Sequence, residues 1–282
     1  MATLIQMLQN LLASKDPLLA NETKRILLKE GLQAYILDYL YNHQNYGNLN
    51  FYGGTCLRVV YGLNRLSEDI DLDNQQGLDL INLADDLIAY VHGALDYRQA
   101  SAKQQSSRQG ILRITLKFPL LQEIGLSSLP DEGLHLKLEV SHHQQVAVIR
   151  RTPIIFFGRS FVPAHFSLAT MMAAKMLACL ERSFQKGRTA TKIKGRDYYD
   201  LLWFMQQRIN PLEEKLAQDG EKPYTAKTAM QVLREKVELI KPADLATDLM
   251  PLFEQRTFIE RWVEAFHDNF YEWVEYYLVP GE

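Results

Sequence analysis

The sequence predicts an α+β protein: a mixed sheet with flanking helices over residues 1–160, followed by a helical C-terminal lobe over residues 161–282. Two segments that alternate apolar and polar residues, ILRITLKF at 111–118 and LHLKLEV at 134–140, lie among stretches whose apolar residues recur at spacings of three and four. The alternation stops near residue 160, and only helical periodicity follows. With 47% hydrophobic residues in a chain of 282, either one large domain or two modest ones can bury a core.

In chain order, Leu4, Met7, Leu8, Leu11 and Leu12 predict an amphipathic N-terminal helix. Residues 22–42 form a second helix, with Asn21 as its N-cap and Leu28, Leu32, Ile36 and Leu40 as its buried stripe. Leu49–Tyr52 reads as a short strand, Gly53 and Gly54 as a tight turn, and Thr55–Tyr61 as the start of a helix. A strand at 68–72, a helix at 78–95 and the two alternating strands come next, with one more strand at 146–149. In the second lobe Ser167 caps a helix reaching residue 184. Further helices are expected at 197–207, 225–240 and 252–278, the last carrying Trp262, Phe266, Phe270 and Trp273 as a core stripe.

Thirty-one basic and 34 acidic residues give a net charge of −3, so global charge advertises neither a nucleic-acid nor a membrane surface, and any polyanion site must be local. Cys56 and Cys179, far apart in apparent helices, read as reduced core residues and not as a disulfide or metal cluster. No apolar run approaches the roughly 18–20 residues that span a bilayer. The N-terminal segment also lacks the basic leader and cleavage site of a signal peptide, so a cytoplasmic protein without membrane partners is expected.

The chemistry concentrates in GGTCLRVVYGLNRLSEDIDLD at residues 53–73. On a strand, Asp69 and Asp71 share a face while Ile70 and Leu72 point the other way. Two adjacent carboxylates repel each other unless a cation joins them, and Mg²⁺ accepts such oxygens together with substrate phosphates and water. Asp73 continues the parity, as an assistant or as a solvated strand end. The GGT turn leaves the backbone N–H groups of Gly54, Thr55 and Cys56 free to meet phosphate oxygens. On the strand at 134–140, Glu139 lies opposite the apolar face, either as a third carboxylate or as a solvated neighbour of Lys137. His142 and His143 lack a matching ligand set and read as loop residues.

Lys175 interrupts the apolar side of the helix that begins at Leu168, so it either snorkels or points to phosphate or carboxylates. From Arg182 to Arg196 the chain carries six basic residues and no acidic one, a solvated loop or a landing surface for a phosphate-rich acceptor. Asp197 then reads as an N-cap that also holds Lys175 or Arg196, and Asp200 as structural.

GGTCL, RLSEDIDLD, AAKMLACLER and RDYYDL, in this order, resemble the AbiEii family of nucleotidyltransferase toxins from abortive-infection toxin–antitoxin systems, which includes the mycobacterial MenT toxins. The resemblance spans residues 24–205. It implies a polymerase-β-like core, with Asp69 and Asp71 on Mg²⁺ and Gly53, Gly54 and Thr55 at the nucleotide phosphates. It implies further that Lys175 contacts the nucleotide, that Asp197 completes the site, and that Arg65, Ser67 and Arg182 line it; Glu139 corresponds by pattern alone. The activity implied is transfer of a nucleoside monophosphate from a nucleoside triphosphate to an acceptor, with the 3′ end of tRNA, a protein or a small molecule as acceptors. A cognate antitoxin is implied as partner. A non-catalytic nucleotide-binding scaffold is the alternative of another class.

Overall fold

The computed structural model describes residues 3–107, 110–142, 144–182 and 193–279. The chain divides into two compact units, one of residues 1–144 with 150–165 and one of residues 145–149 with 166–282.

The first unit opens with α1 (Leu4–Ala13), closed by a capping box between Thr3 and Gln6, and α2 (Asn21–Asn42). The expected stripe of α2 is buried, but its cap is Ala20, without a side-chain bond, and Asn21 is already helical. The sheet begins with β1 (Asn50–Tyr52), which runs directly into α3 (Gly53–Tyr61). Next come β2 (Ile70–Asp73), α4 (Leu83–Gly93), β3 (Ser101–Ser106), β4 (Leu112–Phe118) and β5 (Leu134–Ser141). Short strands follow: β6 (Ile149–Arg151), the hairpin pair β7 (Ile154–Phe156) and β8 (Arg159–Phe161), and β9 (Ala164–Phe166). The strand order is β3-β4-β5-β2-β1-β9-β6, with β1 antiparallel to β2 and β2 parallel to β5. The sheet is therefore mixed, as the sequence predicts.

Three expectations shift here. The strand of the carboxylates starts at Ile70, two residues later than read, so Asp69 sits on its approach and Asp71 within it. The strand expected at 146–149 lies at Ile149–Arg151, because residues up to 148 bond elsewhere: Val148 donates its N–H to Thr170 Oγ1. Asp73 is no solvated end. It is 1% exposed and accepts a 3.3 Å hydrogen bond from Asn50 Nδ2, its register partner on β1.

The second unit is helical among its described residues: α5 (Leu168–Glu181), α6 (Gly195–Gln206), α7 (Glu213–Gln218), α8 (Ala226–Glu238), α9 (Pro242–Leu249), α10 (Arg256–Glu264) and α11 (Phe266–Leu278). Ser167 caps α5 by accepting from the Thr170 N–H. The single long helix expected at 252–278 breaks at Ala265, yet its apolar stripe crosses the break: Phe266 and Phe270 are fully buried, with the Trp262 ring tilted against Phe266 at 5.1 Å. No helix among the described residues is long and apolar enough to cross a membrane.

Candidate active site

Gly53 has φ +77°, a left-handed conformation that any side chain would strain. It also has no room: a Cβ there would lie 2.1 Å from Asp71 Oδ2. The register explains this closeness, since Tyr52, the last residue before the turn, pairs with Asp71. The missing side chain thus lets the Asp71 carboxylate rest against the start of α3. Gly54 is equally confined, and a Cβ there would come within 2.6 Å of Arg65 Nη2 and 3.0 Å of Ser67 Oγ.

The loop before β2 is tied to α3 by polar bonds. Thr55 Oγ1 bonds to Ser67 Oγ at 2.9 Å and donates to the Asp69 carbonyl, and Gln33 Nε2 donates to the Ser67 carbonyl at 3.1 Å. Arg65 is buried, and its Nη1 donates to the Leu66 carbonyl at 2.9 Å, so the guanidinium braces the turn from behind Gly54. Tyr52, at the N-cap of α3, supplies no side-chain cap, so the carboxylate nearest the start of this helix is that of Asp71 on the neighbouring strand. Asp69 and Asp71 are each partly exposed. Burial, and then the charge of Asp71, push the Cys56 thiol well up, so Cys56 is a packing residue and no nucleophile.

Glu139 is the register neighbour of Asp71 on β5, which is how the fold brings a third carboxylate to this row of the sheet. Arg113, opposite it on β4, donates to Glu139 Oε1 at 2.6 Å. Among the described residues no three His, Cys, Asp or Glu side chains gather so as to hold a metal ion. The pair Asp69–Asp71 still suits Mg²⁺, which is commonly bound through one or two carboxylates and keeps water and substrate phosphate as its other ligands.

In the second unit Lys175 points to carboxylates, with Nζ 2.7 Å from Asp197 Oδ1 and 2.8 Å from Asp200 Oδ2. Arg182, largely exposed at the end of α5, lies 3.5 Å from Asp197 Oδ2. Burial alone would raise the Asp197 pKa, but Lys175 and Arg182 outweigh it and hold the carboxyl at about 2. Asp197 is not an N-cap, because Lys194 occupies that position. Asp200, read from the sequence as structural, is fully buried, one helical turn from Asp197 and ion-paired to the same lysine. His142 Nδ1 lies 3.4 Å from Asn74 Nδ2, in a loop as expected, whereas His143 and the basic segment from 183 to 192 lie outside the described residues.

A mixed sheet with flanking helices that brings an aspartate against a glycine turn at a helix N-terminus suits a nucleotidyltransferase. The chain belongs to the family described as nucleotidyl transferase AbiEii toxin of Type IV toxin–antitoxin systems, whose profile matches residues 36–272. No curated protein matches it. Among solved structures, a candidate nucleotidyltransferase from H. pylori shares the fold at TM-score 0.54 and 17% identity, over 90% of this chain and 95% of that one. An antigenic nucleotidyltransferase-like protein from Paracoccidioides brasiliensis, at 20% identity, covers 85% of this chain and 100% of that one with TM-score 0.38, too distant to carry weight.

Proposed function

We propose that this toxin-family nucleotidyltransferase is Mg²⁺-dependent and transfers a nucleoside monophosphate from a nucleoside triphosphate to the 3′ end of tRNA, in the cytoplasm and under the control of a cognate antitoxin. The observation that carries the reading is the Asp71 carboxylate seated against Gly53 at the N-terminus of α3. This puts an anion-binding helix end beside a carboxylate that binds cations, the combination a metal–triphosphate requires.

Asp69 and Asp71 would hold Mg²⁺, which supplies charge neutralisation at the reacting phosphate. The N–H groups of Gly54 and Thr55 meet triphosphate oxygens, with Arg65 and Ser67 holding the turn in shape behind them. Lys175, aligned by Asp197 and Asp200, and Arg182 are the proposed nucleotide contacts of the helical unit. The acceptor hydroxyl oxygen attacks the α-phosphorus, the bond from that phosphorus to the β-bridging oxygen breaks, and pyrophosphate departs while the hydroxyl proton passes to solvent. Glu139, held at 2.6 Å by Arg113, is proposed to orient the attacking hydroxyl or to hold a second metal ion.

The test is incubation of the purified protein with each α-labelled nucleoside triphosphate, in the presence of total tRNA or of protein extract. Label on the tRNA 3′ end, lost on chelation of divalent metal, is the expected result. Label on protein alone, or transfer that survives chelation, overturns the proposal.

A further inference from the structure

The sheet face that carries Asp71 continues into a set of basic side chains. Register places Glu139 beside Asp71, Arg113 beside Glu139 and Gln105 beside Arg113, and directly opposed residues share a face. Two positions back along β5, on that same face, comes Lys137, in line with Thr115 of β4 and Lys103 of β3. Two further back, His135 is in line with Lys117 and Ser101. The alternate residues of β4 and β5 fill the core on the other side. Lys103 and Lys137 are exposed, and Lys117 is half-exposed with its stem laid over Gly133.

The charge of these lysines is uncompensated. Lys29 is bonded to Glu68, Arg25 to Glu132 and Arg113 to Glu139, but Lys103, Lys117 and Lys137 have no ion pair among the described residues. His135 registers the field: burial, then Lys117, Lys29 and Lys137, push its pKa down. Since the whole chain carries a net charge of −3, the patch is a local departure from the overall balance. Lysines on an edge strand also deter edge-to-edge pairing, and Lys103 could serve that end; Lys117 and Lys137 lie on interior strands with no edge to guard. Residues two apart on a strand are about 7 Å apart, so the lysine rows begin about 7 Å from the row of Asp71 and extend away from it. A small acceptor would end before reaching them. A chain of phosphodiesters would run along them.

We propose that Lys103, Lys117 and Lys137 form the track on which a nucleic-acid strand lies, with its reacting end directed toward Asp71. The assignment rests on the nucleotidyl-transfer reading given above and specifies where that reaction's acceptor is held. The partner is recognised by its phosphodiester backbone, without reading of base sequence.

The test compares the wild-type protein with K103E/K117E/K137E and K103Q/K117Q/K137Q, using fluorescence anisotropy over a series of salt concentrations. Total tRNA and a single-stranded DNA oligonucleotide serve as probes. Both are expected to bind at least about tenfold more weakly to the Glu variant, and the log–log salt slope should fall by about 2, near 0.7 per lost phosphate contact. The Gln variant should show a smaller loss, while nucleoside triphosphate binding and thermal midpoint stay unchanged in both. Unchanged tRNA affinity and salt slope overturn the track, as does a loss of nucleoside triphosphate binding equal to the loss of tRNA binding. If wild-type protein binds tRNA through these lysines but transfers no label to it, the fault lies with the reaction assigned above and not with the surface.

Discussion

Gly53→Ala separates backbone strain from displacement of the Asp71 carboxylate, the metal ligand proposed above. At φ +77° an alanine adopts a left-handed conformation costing about 1–2 kcal/mol. For a protein of this size that lowers the thermal midpoint by about 2–8 °C. The new methyl group would also lie 2.1 Å from Asp71 Oδ2, so the carboxylate must move by about 1 Å to restore van der Waals contact. A displacement of that size in a reacting constellation costs on the order of 100-fold in rate. Gly62 supplies the control: it has φ +75°, but a Cβ there meets nothing within 4 Å. Gly62→Ala should therefore lower the midpoint by a similar amount and leave kcat within about twofold of wild type. The assay is label transfer from α-labelled nucleotide at saturating substrate, beside thermal unfolding of each variant. Gly53→Ala transferring label as fast as Gly62→Ala would refute the reasoning.

Lys175→Met leaves Asp197 and Asp200 buried without their shared cation, and the loss is expected at about 3–5 kcal/mol in urea unfolding. Acid unfolding should show the same interaction. Because the folded Asp197 pKa is depressed to about 2, its contribution to stability is complete above the unfolded value near 4 and disappears as pH falls toward 2. The Asp197→Asn variant should lose that part of the pH dependence, as followed by circular dichroism between pH 5 and 2. Glu139→Gln is expected to reduce kcat about 10- to 100-fold while nucleotide affinity, measured by equilibrium binding, is retained. A loss of metal-dependent nucleotide binding in that variant would instead place Glu139 among the metal ligands.

The elements legible in the sequence are those whose burial is one-sided. LRITLKF and LHLKLEV alternate because one face of β4 and β5 packs on the core and the other is open, so period two survives in the sequence. SAKQQS of β3 is exposed at every position, and an edge strand with no buried face leaves no hydrophobic pattern to read. The break at Ala265 was hidden for the opposite reason: Trp262, Phe266 and Phe270 keep helical spacing across it. At the site, the glycine turn and the aspartate pair are visible as residue types. The contact between Gly53 and Asp71 is not, because it depends on an antiparallel register between β1 and β2. Asp197 read as a cap because an aspartate after a basic loop suits one. The other half of that reading, a bond from Asp197 to Lys175 one helix away, is present at 2.7 Å.

The measurement closest to the central claim is label transfer by the Asp69→Ala, Asp71→Ala double variant with α-labelled nucleoside triphosphate and total tRNA. Circular dichroism and thermal unfolding must show that the fold is retained. The account predicts no detectable transfer from a folded protein. Transfer persisting at a rate near wild type would contradict it.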